Sequence, residues 1–313
     1  MSDRAPSLGA EPVTILMALY QGAPFVEAQL DSIAAQGGAW RLVVSDDGST
    51  DAGPAIVARF AARHPGRVRL VRGPGQGAAE NFRALLRGLE PACGPVALAD
   101  QDDVWLPGKL ERAFAGLQQA PAGQPALYCS RVAICDAAMR PLGRSRPLHP
   151  PSFPHALVQN AVQGNTVMLN PAALALVRAA DPLTPPVVMH DWWLYQLITG
   201  AGGRVIQDST PTVLYRQHHG NVVGANDSLR ARLGSFGRML GGGHRAWNAQ
   251  TLAALSPVRH LLTEDSRATL DLFAALHGGA LPARLGAMRR GRFRRQGAVS
   301  QAALWLAAAL GRM

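Results

Sequence analysis

Apolar runs and helical stripes alternate through the first hundred residues. Val13 to Leu19 is a β-rich run bounded by Pro12 and Gln21-Gly22, which predicts a buried strand. Pro24 to Ala35 then carries Phe25, Val26, Leu30 and Ile33 on one helical face. The alternation continues with a strand over 41–45, a helix over 54–63, a strand over 68–71, a helix over 78–89 and a strand over 96–99. Strands and helices at this spacing predict a parallel sheet with helices on both faces, whose ligand site lies at the carboxyl ends of the strands.

Beyond Pro107 the alternation weakens. A helix is expected over 109–119, a strand near 126–132, and a Pro- and Arg-rich loop from Arg140 to Pro154. A second half, about 158–223, holds Gly164-Asn165-Thr166, His190-Asp191-Trp192-Trp193 and Tyr215-Arg216-Gln217-His218-His219. From about Asn226 the sequence reads as helices joined by Gly-rich breaks such as Gly241-Gly242-Gly243. The expected organisation is a disordered N-terminus (1–11), a catalytic domain (12–225, divided into 12–107 and 108–225) and a helical basic C-terminal region (226–313).

Composition narrows the class. The 313 residues are 48% hydrophobic, enough for a substantial core. Lys and Arg number 31 against 21 Asp and Glu, a formal charge of +10 that calls for an anionic partner. Much of the surplus lies in Arg284, Arg289, Arg290, Arg292, Arg294 and Arg295, followed by an apolar stretch from Ala298 to Leu310. That pairing suits peripheral contact with an anionic inner membrane through 284–313, and equally a solvated basic helix packed on the protein. No basic and aromatic interleaving supports nucleic-acid binding. Three cysteines without metal spacing, and a start without a signal-peptide pattern, predict buried thiols and a cytoplasmic location.

Polar residues collect at the expected strand ends. Tyr20 follows the first strand, Asp46 and Asp47 the second, and Asp100-Gln101-Asp102-Asp103 the fourth. Three carboxylates in four positions repel one another, and a divalent cation with diphosphate oxygens offsets that repulsion. A solvated acidic turn is the simpler reading of the motif alone.

Together the run ending Ala18-Leu19-Tyr20, the turn Ser45-Asp46-Asp47-Gly48-Ser49-Thr50-Asp51, the cluster Asp100-Gln101-Asp102-Asp103 and the pair His190-Asp191 resemble a family 2 glycosyltransferase of the GT-A fold. The resemblance covers about 12–222 and implies an α/β fold with a mixed, mostly parallel sheet flanked by helices. Asp-Gln-Asp-Asp-Val-Trp and Tyr-Arg-Gln-His resemble the rhamnosyltransferase-like branch, among enzymes of surface polysaccharide synthesis in the cell envelope.

The resemblance implies roles residue by residue. Asp47 would accept from the imide N–H of uracil or thymine, beside Ala18, Leu19 and Tyr20, so a UDP- or dTDP-sugar donor is expected. Asp102 would coordinate Mg²⁺ or Mn²⁺, with Asp100 on the ribose or a metal-bound water; Asp103 would support them or cap the next helix. Asp191 would be the general base of an inverting transfer, although many relatives have Glu-Asp where this chain has His190-Asp191. His218 would complete the metal site, with His219 an alternative register, and Arg216 would offer charge to the diphosphate. Gly164, Asn165, Thr166 and provisionally Trp192 would border the pocket of a glycan or lipid-linked acceptor.

Two other classes compete. A haloacid-dehalogenase-like Mg²⁺-dependent phosphatase also uses Asp-x-Asp after a strand, but on the first strand. A non-catalytic nucleotide-binding, membrane-associated protein would lack the base, whereas Asp191 is present.

Overall fold

The computed structural model describes residues 12–91, 93–146, 149–218 and 243–313. The expected disordered N-terminus, the alternative ligand His219 and the stretch from Asn226 to Gly242 lie outside them. The chain divides into two compact units: 1–148, 162–178 and 204–225 form one, and 149–161, 179–203 and 226–313 the other.

The first unit is built on a nine-stranded sheet. Its opening half follows the sequence closely: β1 (Val13–Leu19), α1 (Val26–Ala34), β2 (Trp40–Asp46), α2 (Gly53–Arg63), β3 (Val68–Arg72), α3 (Ala78–Arg87) and β4 (Val96–Asp100). β1 is buried at nearly every position, which is why it reads as an unbroken apolar run rather than an alternating one. Strands β3, β2, β1 and β4 are parallel, with Leu19 beside Asp46 and Ala18 beside Asp100. Three polar loops therefore leave the sheet from one edge.

The remaining strands are β5 (Val104–Trp105), β6 (Ala126–Cys135), β7 (Pro141–Arg144), β8 (Met168–Leu169) and β9 (Arg204–Arg216), with α4 (Lys109–Leu117) after β5. The sheet order is β3-β2-β1-β4-β8-β6-β9-β5, with β7 on β6. β8 is antiparallel to β4 and β6, which makes the sheet mixed as expected. Two elements depart from the sequence reading. The exposed strand β7 lies in what was expected to be loop, because Pro-Leu-Gly-Arg carries no strand signature. β9 was missed because Gln207-Asp208-Ser209-Thr210-Pro211 reads as a turn. The strand shifts register there against β6, which is where a proline is tolerated.

In the second unit α5 (Phe153–Val158) and α7 (His190–Gly200) are joined by α8 (Gly243–Leu255), α9 (Glu264–Gly278), α10 (Leu281–Gly291) and α11 (Ala298–Ala309); α6 (Pro171–Ala180) precedes α7 in the chain. α7 buries Trp192, Trp193, Leu194, Tyr195, Leu197 and Ile198, so it is a core helix rather than an amphipathic one. Gly200 belongs to this packing, since a Cβ there would come within 2.9 Å of Leu262 and Phe153. The tail arginines divide. Arg284 donates to the carbonyls of Ala308 (2.7 Å) and Ala309 (2.8 Å), closing the end of α11, whereas Arg289, Arg290, Arg292 and Arg294 are exposed.

Candidate active site

The loops at the ends of β1, β2 and β4 are tied together by their own polar side chains. Asp51 accepts from the Ala23 amide (2.7 Å) and the Gly53 amide (2.9 Å), pinning the loop after β1 to the one after β2. Gln21, at φ 50°, is held in that left-handed conformation by Ser49 Oγ on its amide (3.0 Å) and by its own side chain on Thr50 (2.9 Å). Ala18 and Leu19 are backbone neighbours of Asp100 and Asp46, and the ring of Tyr20 stands 57% exposed beyond them.

Asp47 is buried, and each of its oxygens accepts a backbone amide at 2.7 Å, from Gly75 and Gly77. The loop before α3 is thereby folded over the end of β2. Gly73 permits this approach, because a Cβ there would meet Asp47 Oδ1 at 2.8 Å and the Asp46 carbonyl at 2.9 Å. A carboxylate oxygen accepts two hydrogen bonds, so this anchoring does not exhaust the acceptor capacity of Asp47.

The four acidic-motif positions point in different directions. Asp100 ends β4 and is half-buried. The Gln101 side chain accepts the Tyr20 amide (2.8 Å) and donates to the Tyr20 carbonyl (2.8 Å). Asp102 Oδ2 lies 2.8 Å from His218 Nε2, with the two side chains 18% and 17% exposed. Asp103 turns inward, fully buried, where it accepts from Asn165 Nδ2 (2.6 Å) and from the Arg216 amide (3.3 Å).

Asp103 belongs to a buried ionisable pair. Burial, and then the charge of Asp102, push its carboxyl up to about 7 against the pull of its hydrogen bonds. Burial likewise brings Lys109 down to about 7, opposed by Asp103. The Lys109 amine sits 4.7 Å from the centre of the Trp105 ring. In place of a helix cap, Asp103 braces the end of β9 against the acidic loop.

That brace delivers His218. Gln217 donates to the Cys135 carbonyl (2.8 Å) just past the end of β9, and His218 follows. Phe25 stacks on the His218 ring, centroids 4.5 Å apart and planes at 28°. The sequence counted Phe25 with the apolar face of α1; it stands instead at that helix's N-cap, against the imidazole.

Three expectations are corrected. Arg216 is buried, and its guanidinium donates to the carbonyls of Asp102 (3.0 Å) and Ala137 (2.7 Å) and lies 5.1 Å over Phe25; it is a strut within the loop rather than an arm toward a diphosphate. Gly164, Asn165 and Thr166 form a 3₁₀ turn in which Asn165 and Thr166 are buried. Their side chains serve Asp103 and the Ser130 amide (3.2 Å), so they support the site from inside instead of lining an acceptor pocket. Trp192, in the second unit, is 4% exposed; its indole N–H donates to the Ala156 carbonyl (2.6 Å) and its ring meets Trp247 edge-on, so it packs the core of its unit and presents no face to an acceptor.

Asp191 also belongs to the second unit. It occupies the first turn of α7, where Oδ1 accepts the Trp192 amide at 2.7 Å. Its neighbour His190 is buried, and burial holds that imidazole below its usual range. Among the described residues no group of three or more His, Cys, Asp and Glu side chains is placed to hold a metal ion, so Asp102 and His218 supply at most two ligands. Among the described residues, too, no helix is long and apolar enough to cross a membrane.

A dTDP-rhamnosyl transferase of Shigella flexneri, RfbG, is 28% identical over 233 residues, covering 71% of this chain and 78% of that protein. An uncharacterized protein of Mycobacterium tuberculosis is 28% identical over 217 residues, 66% of this chain and 60% of its own length. Among solved structures, S. aureus TarS (residues 1–349) in complex with UDP-GlcNAc superposes with a TM-score of 0.54 at 14% identity, covering 95% of this chain and 79% of that one. The mannosyltransferase PcManGT of Pyrobaculum calidifontis, in complex with GDP-Man and Mn²⁺, gives 0.52 at 22% identity, covering 99% and 89%. These two likenesses establish a shared GT-A fold. The family model for glycosyl transferase family 2 matches residues 14–179, more than half of the chain, and this protein therefore belongs to that family of glycosyltransferases.

Proposed function

We propose that this chain is an inverting, metal-dependent glycosyltransferase that moves a hexose, or a deoxyhexose such as rhamnose, from a UDP or dTDP donor to a glycan or lipid-linked acceptor. The observation that carries this reading is the Asp102–His218 contact at the end of β4, in register with the β1 and β2 loops. The phosphatase alternative requires its paired acids on the first strand, whereas Asp100 and Asp102 follow the fourth.

A carboxylate and an imidazole, both partly exposed, fit a divalent ion whose remaining positions are filled by diphosphate oxygens and water. Asp102 and His218 would hold it, with Asp100 beside them toward the ribose or a bound water. When bound, Mg²⁺ or Mn²⁺ offsets the negative charge that grows on the departing nucleoside diphosphate. Ala18, Leu19, Tyr20 and Asp47 would receive the base. Asp191 would take the proton of the acceptor hydroxyl while that oxygen bonds to the anomeric carbon; the bond to the diphosphate breaks with its electron pair, and configuration inverts.

Four exposed arginines of the tail would bring the enzyme to an anionic membrane from the cytoplasmic side, where a lipid-linked acceptor lies. The test of the catalytic reading is transfer from a panel of UDP- and dTDP-sugars to a polyprenyl-linked acceptor, with the product anomer read by NMR. The reading expects Mn²⁺-dependent product of inverted configuration; a retained anomer, or activity indifferent to chelation, would refute it.

A further inference from the structure

The parallel ladder between β1 and β4 ends at the pair Ala18 and Asp100. Beyond that pair the two strands part: Tyr20, after Leu19, turns into the loop before α1, and Gln101 opens the acidic loop. Both main-chain groups of Tyr20 are nevertheless satisfied, each at 2.8 Å, by the single carboxamide of Gln101. The side chain stands in for a strand and adds one more rung to the ladder.

We propose that Gln101 is a positioning residue that couples the metal-holding loop to the nucleoside-binding loop and so sets where the exposed Tyr20 ring meets the donor; this rests on the donor reading above. Three features carry it. Gln101 lies between Asp100 and Asp102, so any shift of the acidic loop on taking up a metal and a diphosphate is transmitted to Tyr20 through two hydrogen bonds. The loop after β1, which carries Tyr20, is also fixed to the loop after β2 by Ser49, Thr50 and Asp51, so Tyr20 is held between two anchors. Gly22 makes room for the contact: a Cβ there would come within 2.4 Å of Gln101 Oε1 and 2.8 Å of Leu19. None of these bonds touches the reacting atoms, so the effect falls on donor binding and not on the chemical step.

Gln101→Met keeps the length of the side chain and removes both bonds, while Gly22→Ala crowds the carboxamide from the other side. In the full-length protein, hydrogen exchange across residues 19–23 and calorimetry with UDP and dTDP in Mn²⁺ are measured for each. The expected result is faster exchange at the Tyr20 amide, nucleotide Kd and donor KM raised about tenfold, and kcat within about twofold of the parent. Faster exchange with unchanged nucleotide affinity would overturn the coupling role while leaving the donor reading intact. Unchanged exchange would show that the clamp does not hold in solution. A parent protein that binds neither nucleotide would instead defeat the donor reading, and this inference with it. Should Gln101→Met fail to fold, Gly22→Ala and Gln101→Glu, which keeps an acceptor for the Tyr20 amide, decide between the same outcomes.

Discussion

His218 Nε2 rests 2.8 Å from Asp102 Oδ2 although 116 residues separate them, and Phe25 stacks on the imidazole from the start of α1. Three distant segments therefore fix one pair of candidate ligands. His218→Ala should weaken Mn²⁺ binding about 10- to 100-fold in the presence of UDP, and Phe25→Leu should weaken it less, because only ring orientation is lost. Electron paramagnetic resonance of free Mn²⁺ reads both; equal affinity in His218→Ala would remove that residue from the metal.

Asp191 carries a separable expectation. If it takes the acceptor proton, Asp191→Asn should lower kcat by roughly 10²- to 10⁴-fold and leave donor Kd within about twofold. Loss of nucleotide binding in that variant would assign it to the donor instead.

Lys109 and Asp103 share a buried environment behind the acidic loop. Lys109→Met removes the cation whose attraction opposes the rise of the Asp103 carboxyl, and should lower stability in urea unfolding. Adding Asp103→Asn should recover part of that loss, since the amide carries no charge. No recovery in the double variant would mean that the hydrogen bonds of Asp103, and not its charge, dominate.

In the second unit His155 is buried with Nδ1 2.9 Å from the hydroxyl of Tyr195, which itself accepts the Ser152 amide at 3.3 Å. Burial, and then the charge of His149, lower the imidazole to about 4 from an ordinary 6.5. Between pH 6.5 and 4 the unfolded chain binds a proton that the folded chain does not. Stability is therefore complete above pH 6.5 and falls by roughly 2–3 kcal/mol as pH drops to 4. Denaturant melts across that window should be flatter for His155→Gln.

The first seven elements, β1 to β4 with α1 to α3 between them, were legible because the strands are apolar runs that end in turn residues and the helices carry apolar stripes. The acidic cluster, Asp47 and the Tyr20 edge were legible for the same reason: they stand where those runs stop. What escaped was decided by long-range packing. Pro211 disguised β9, whose bulge accommodates it, and with β9 hidden nothing in the local sequence marked Arg216 as a strut; only the family resemblance, and no local pattern, set His218 beside Asp102. Asn165 and Trp192 have side chains that suit sugar contact, and only their burial reveals that they serve the interior. Gln101 was in view inside the acidic motif, but its partner is main chain, which composition cannot reveal.

The central claim is that the loops at the ends of β1, β2 and β4 take up a pyrimidine nucleoside diphosphate together with a divalent ion. Titration calorimetry of the full-length protein with UDP and with dTDP, with Mn²⁺ and again with EDTA, tests it most directly. The account predicts saturable binding of at least one nucleotide that weakens when the metal is withdrawn and again in Asp102→Asn. Binding of neither nucleotide, or binding indifferent to both changes, would contradict it.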